Sequence, residues 1–187
     1  MIMNKINICG EEVELDATEL ILLNKQLSSI PKEIWGLEKL EVLILYRNLL
    51  TSLPAQIFEM KNLINFNLSR NNLSSIPPDI GKLEKLEYLF VSYNNLTSIP
   101  AEIGKLEKLR SLYLSDNELT SLPPDIGKLG KLEYLYLDKN QLTSLPTEIC
   151  ELEKLEYLYL RENKIPQNEI EKLKELLPNC KIYNNYE

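Results

Sequence analysis

The chain has 187 residues, 44% of them hydrophobic, with no histidine, ten tyrosines, three cysteines and a formal net charge of −7. That is apolar material enough for one folded domain. The missing imidazole removes serine and cysteine triads, iron facial triads and Cys/His zinc sites.

The balance of 28 acidic against 21 basic residues argues against a nucleic-acid partner, since phosphates need a basic face. At the N-terminus Asn4, Lys5 and Asn7 interrupt the apolar residues, unlike the continuous apolar segment of a secretory signal. No run approaches the ~18–20 apolar residues that span a bilayer. The chain therefore reads as cytoplasmic, or as secreted with its signal removed, without membrane insertion. Lys5–Cys9 and Glu12–Leu15 flank Gly10-Glu11 and read as a hairpin.

Beyond the hairpin the chain repeats. Asn48, Asn71, Asn94, Asn117, Asn140 and Asn163 recur every 23 residues, each followed two positions on by leucine or isoleucine. Prolines keep the same period from Pro31 to Pro146, with an isoleucine three residues after each. Several columns in one phase define a repeat protein. One unit, from Leu109, reads LRSLYLSDNELTSLPPDIGKLGK.

This unit resembles the leucine-rich repeat family, with its L-x-x-L-x-L-x-x-N-x-L consensus followed by x-x-I/L-P-x-x-I. The resemblance runs from Ala17 to Lys164 and is strongest to small bacterial, spirochaetal members. It implies an α/β solenoid, a horseshoe with a concave parallel β-sheet and turns or 3₁₀ segments on the convex side. One domain over 1–187 is expected, with an N-terminal cap at 1–16, about seven rungs at 17–164 and a C-terminal helix-strand cap at 165–187. The residues agree independently. Leu112-Tyr113-Leu114 alternates with period two, which marks a half-buried strand, while Pro123 and Gly127 end it and force a tight return. Repeated strands in one direction pair in parallel.

The asparagine column has a structural explanation. Where each strand bends inward, backbone N–H and C=O groups need partners, and one amide side chain both donates and accepts. Lys25 takes this position in the first unit, as suits a terminal rung.

At the other end, Ile170, Leu173, Leu176 and Leu177 have helical spacing, Asn168 and Glu171 read as a capping box, and Cys180–Tyr183 reads as a last strand. Cys9, Cys150 and Cys180 read as free thiols, with a Cys150–Cys180 bridge as the alternative. The columns Lys85, Lys108, Lys131, Lys154 and Glu87, Glu133, Glu156, the latter broken by Arg110, read as a self-compensating solvated face.

The alternate strand positions face away from the leucines. Their middle column runs Phe90, Tyr113, Tyr136, Tyr159, flanked by Tyr88, Tyr134 and Tyr157, with Tyr93 and Arg161 at the margin. Aromatic residues stabilise sheets by stacking across strands, so the column has a purely structural reading. The core does not require them, however, and tyrosine with arginine is enriched at interfaces. Ile21, Leu23, Val42 and Ile44 form a second, aliphatic patch. The resemblance implies a concave recognition surface. The expected function is a non-enzymatic module binding a protein partner through the tyrosine strip, with glycan or small-molecule binding on the same strip as the alternative. No cofactor or metal is expected, and a monomer is favoured over an edge-mediated dimer.

Overall fold

The structure, a computed structural model, describes residues 5–186; the outermost residues of the two expected caps, 1–4 and 187, lie outside it. Strands β1 (Lys5–Ile8) and β2 (Glu11–Glu14) pair antiparallel. The turn between them is Cys9-Gly10, one residue earlier than expected, with φ of 53° and 87°. Two successive positive φ values match the right-handed twist of a two-residue hairpin.

Seven strands follow at the repeat period: β3 (Glu19–Ile21), β4 (Val42–Ile44), β5 (Asn65–Asn67), β6 (Tyr88–Phe90), β7 (Ser111–Tyr113), β8 (Tyr134–Tyr136) and β9 (Tyr157–Tyr159). Helix α1 (Gln167–Leu176) and strand β10 (Lys181–Tyr183) close the chain. Strands β3 to β10 form one eight-stranded parallel sheet in sequence order. Each strand is three residues long because only its central residue faces the core: Leu43, Phe66, Leu89, Leu112, Leu135 and Leu158 are completely buried.

The returns are 3₁₀ segments of five residues, such as Pro124–Lys128, each entered through a proline in extended conformation. Proline's fixed φ starts the segment, and the isoleucine three residues on, Ile126 in this rung, plugs the core. Glycines then let successive returns approach. A Cβ on Gly104 would lie 2.5 Å from the carbonyl oxygen of Asp125. In the earlier rungs Phe58 and Trp35 occupy the same column as Gly81, and Phe58 is completely buried. Aromatic bulk thus fills the convex side near the start of the solenoid, where later rungs have backbone against backbone.

The residue before each ladder asparagine turns left-handed. Arg47, Arg70, Tyr93, Asp116, Lys139 and Glu162 have φ between 55° and 58°. None is a glycine, and each carries the modest cost of that conformation. The asparagines offset it. Asn117 Nδ2 donates to the carbonyls of Val91 in the previous rung and Leu114 in its own, both at 3.0 Å, while its Oδ1 accepts the Leu96 N–H at 3.0 Å. The same three-way bridge recurs at Asn48, Asn71, Asn94, Asn140 and Asn163. In the first rung, the Lys25 N–H bonds Asn48 Oδ1 and its ammonium pairs with Glu11 of the hairpin.

Two expectations at the C-terminus are corrected. Pro166 is the N-cap of α1 and no side chain caps it, so Asn168 lies inside the first turn and forms no capping box. Gln167 instead reaches Glu171 one turn on at 3.2 Å. The alternative Cys150–Cys180 bridge is absent: all three cysteines are free, with Cys150 exposed on the convex 3₁₀ segment Thr147–Glu151 and Cys180 half-buried before β10. Burial pushes the Cys180 thiol up to about 11.

Candidate functional site

Pleating presents alternate strand residues on the concave face, and the register aligns them in columns. Phe90, Tyr113, Tyr136 and Tyr159 are paired neighbours across β6 to β9. Their rings lie nearly parallel, with centroids 4.5, 4.1 and 4.3 Å apart. Tyr183 of β10 continues the stack at 4.7 Å. One unbroken five-ring ladder therefore crosses the C-terminal half of the sheet. Sequence reasoning missed Tyr183 because β9 and β10 align residues 24 apart, Tyr159 with Tyr183, since α1 replaces the usual return. The Lys-Ile-Tyr triplet, with the Tyr-Leu-Tyr pattern of a strand one residue out of phase, was the available signal.

The flanking column is shorter. Tyr134 and Tyr157 stack at 5.2 Å with an interplanar angle of 2°. Tyr88 is separated from them by Ser111, its partner in β7, and Ser111 is buried. Tyr93 does not join either column. Its left-handed backbone turns it onto the rim, where the Arg70 guanidinium lies over its ring at 4.1 Å. Arg161 reaches the Tyr183 ring at 5.6 Å and Lys181 reaches Tyr157 at 5.5 Å. Cations thus gather at the C-terminal end of the ladder.

Stacking changes the chemistry of the strip. The ladder tyrosines are half-buried, although they face away from the core, because each covers its neighbour's face. What meets solvent is a row of ring edges and phenol oxygens. Burial, together with hydrogen bonding between neighbouring hydroxyls, pushes both Tyr136 and Tyr159 up to about 12. Tyr134 is raised as well, chiefly by desolvation.

Asp138 was not singled out by the sequence. It follows Tyr136 on the concave face, and its Oδ1 accepts the Arg161 N–H at 2.8 Å. Desolvation raises its carboxyl above the ordinary range, against that hydrogen bond.

Beside the strands a cleft of about 280 Å³ is lined by Glu87, Lys108, Arg110, Lys131, Glu133 and Lys154. Arg110 grips Glu133 through Nε and Nη2 at 3.1 and 2.7 Å. The charge columns therefore meet partly in pairs between rungs. Among the described residues no cluster of acidic and cysteine side chains is arranged to hold a metal, and no helix is long and apolar enough to cross a membrane.

A parallel strand, an inward asparagine bridge and a proline-entered return, repeated in register, define a solenoid built to present one concave sheet. A family model described as leucine rich repeat matches twice, at residues 38–96 and 61–119, and one described as a leucine-rich repeat region matches 101–178. A leucine-rich repeat protein of Leptospira interrogans is similar at 39% identity and a TM-score of 0.71, over 88% of this chain and 48% of that one. The leucine-rich repeat ectodomain of the plant membrane receptor kinase GASSHO1/SCHENGEN3 from Arabidopsis thaliana, solved in complex with Casparian strip integrity factor 2, is similar at 32% identity and a TM-score of 0.72. It is matched over 83% of this chain and 20% of that one. The chain thus spans about half the length of the bacterial protein and a fifth of the plant ectodomain. No curated protein matches it.

The chain belongs to the leucine-rich repeat proteins, and its likeness to the Leptospira protein supports a bacterial origin. Domains of this family are generally non-enzymatic protein-interaction modules.

Proposed function

We propose that this chain recognises a protein partner through the aromatic ladder of its concave face, with Phe90, Tyr113, Tyr136, Tyr159 and Tyr183 at the centre. Tyr88, Tyr134, Tyr157 and Arg161 flank the contact and Tyr93 forms its rim. The observation that carries the reading is the continuous stack itself. At the spacing of parallel strands, five rungs extend about 19 Å, a length suited to a macromolecular surface. Rings already held by their neighbours lose little rotamer freedom on binding, so their contact area converts efficiently into affinity. The plant ectodomain solved with its factor is a precedent from the same fold. Sugar recognition needs free ring faces, and here the faces are covered by one another, so the glycan alternative is disfavoured.

The reading includes a monomeric, non-enzymatic scaffold with no nucleic-acid partner. Its test is a side-by-side capture experiment with the wild type, Tyr113→Ala/Tyr136→Ala and Tyr113→Phe/Tyr136→Phe. A partner held by the wild type is lost with the alanine pair, while the phenylalanine pair, which keeps the stack, retains part of the binding. Equal capture by a folded alanine pair moves the site elsewhere.

A further inference from the structure

The two ends of the parallel sheet are finished differently. At the C-terminal edge, β10 bonds β9 through Lys181 and Tyr183, so Ile182 turns its backbone outward. That outward carbonyl accepts Asn184 Nδ2 at 3.3 Å, and the Tyr186 N–H returns to Asn184 Oδ1 at 2.8 Å. The tail thus occupies one outward carbonyl of this edge through a side chain.

Among the described residues the N-terminal edge has no such side-chain contact. Val42 donates to the Thr18 carbonyl at 2.9 Å and Leu22 donates to Ile44 at 2.8 Å, so even-numbered residues of this strand serve β4. Alternation then turns Glu19, Ile21 and Leu23 outward. Their backbone N–H and C=O groups have no partner among the described residues, and the hairpin β1–β2 forms a separate sheet. On the concave side of the same edge, Ile21 and Leu23 are each 49% exposed. An open row of donors and acceptors beside aliphatic side chains is a template for one more strand.

We infer that the β3 edge is a second binding site, which takes an extended peptide segment of a partner as a ninth strand. The edge specifies the chemistry of that segment. Its main chain pairs with Glu19, Ile21 and Leu23. Apolar side chains on its concave side continue the patch of Ile21, Leu23, Val42 and Ile44, and a lysine or arginine meets Glu19, which is exposed and outside every ion pair among the described residues. A second copy of the chain fits less well. The hairpin packs under the first rung, with Ile6 and Leu15 against Gly36, and a second copy would bring its own hairpin into that layer. A single strand needs only the edge.

The experiment is residue-resolved amide hydrogen exchange with a short blocked peptide of alternating valine and threonine carrying one terminal lysine. In the free protein the Glu19, Ile21 and Leu23 amides exchange without protection; the peptide slows Ile21 and Leu23 by about tenfold or more. The same peptide N-methylated at alternate amides, on the side that would face β3, leaves them unprotected. Ile21→Pro removes only an outward N–H and weakens the peptide's effect at Leu23; should that variant fail to fold, the methylated peptide alone decides. Three results overturn the inference: no slowing at millimolar peptide, protection already present in the free chain, or protection that grows with protein concentration in the absence of peptide.

Discussion

The Tyr159 ring lies over the Tyr183 ring, 4.7 Å between centroids and 9° from parallel, although Tyr183 belongs to the cap and not to a repeat. The ladder thus passes out of the repeats and joins the C-terminal strand to the solenoid. Tyr136, by contrast, is flanked on both faces, by Tyr113 at 4.1 Å and Tyr159 at 4.3 Å. Aromatic pairs contribute about 0.5–1.5 kcal/mol beyond their burial. Tyr136→Ala is therefore expected to destabilise more than Tyr183→Ala, and a Tyr159/Tyr183 double-mutant cycle in urea unfolding should return a coupling in that range. Strict additivity would mean that the stack is geometry without energy.

The asparagine bridge makes a sharper demand. Asn117 is buried and satisfies two carbonyls and one N–H from three different residues. Leaving a buried polar group unpaired costs about 1–3 kcal/mol each, so Asn117→Ala should lower stability by roughly 3 kcal/mol or more. Asn117→Asp should be worse, because an acceptor then faces the Val91 and Leu114 carbonyls. Asn163 makes the same bonds but is only partly buried, and its alanine variant should lose less. Chemical denaturation of the three variants orders them; equal losses would remove burial as the cause.

Much of this architecture was legible because a repeat multiplies every signal. Six asparagines in phase outweigh any one of them, and the period fixes the strand register before any pairing is seen. What the sequence hid are the departures from period. Tyr183 sits one residue out of phase because a helix replaces a 3₁₀ return. Tyr93 shares its rung with Phe90, but the left-handed backbone at that position removes it from the strip. The capping box failed because Pro166, two residues before Asn168, already starts the helix. Half-burial of an outward column was also out of reach, since it arises from side chains covering each other. No single residue's period reports that.

On the convex side the glycines separate into two kinds. A Cβ on Gly127 would run into the Glu148 carbonyl oxygen, whereas one on Gly130 meets nothing within 4 Å. Gly130 also keeps an ordinary φ. Gly127→Ala should force adjacent returns apart and cost more than about 1 kcal/mol. Gly130→Ala should instead stabilise by about 0.4–1 kcal/mol, by restricting the unfolded chain. Thermal melts of the two variants should shift in opposite directions, and a shared sign would refute the close-approach account.

The ladder also predicts how the protein responds to alkali. Burial holds Tyr136 and Tyr159 protonated to about 12, against an ordinary phenol value of 10.0. In that interval the folded chain binds more protons than the unfolded one, so stability falls as pH rises. The contribution of these two phenols is complete below about pH 10 and is lost through about pH 12. Tyrosinate absorbance at 295 nm should therefore include a late rise from the ladder pair that coincides with unfolding. Tyr136→Phe/Tyr159→Phe removes both late ionisations while keeping the stack. That variant should hold its melting temperature further into alkali than the wild type; if it melts in parallel with the wild type across this range, the phenols of the ladder do not govern alkaline unfolding.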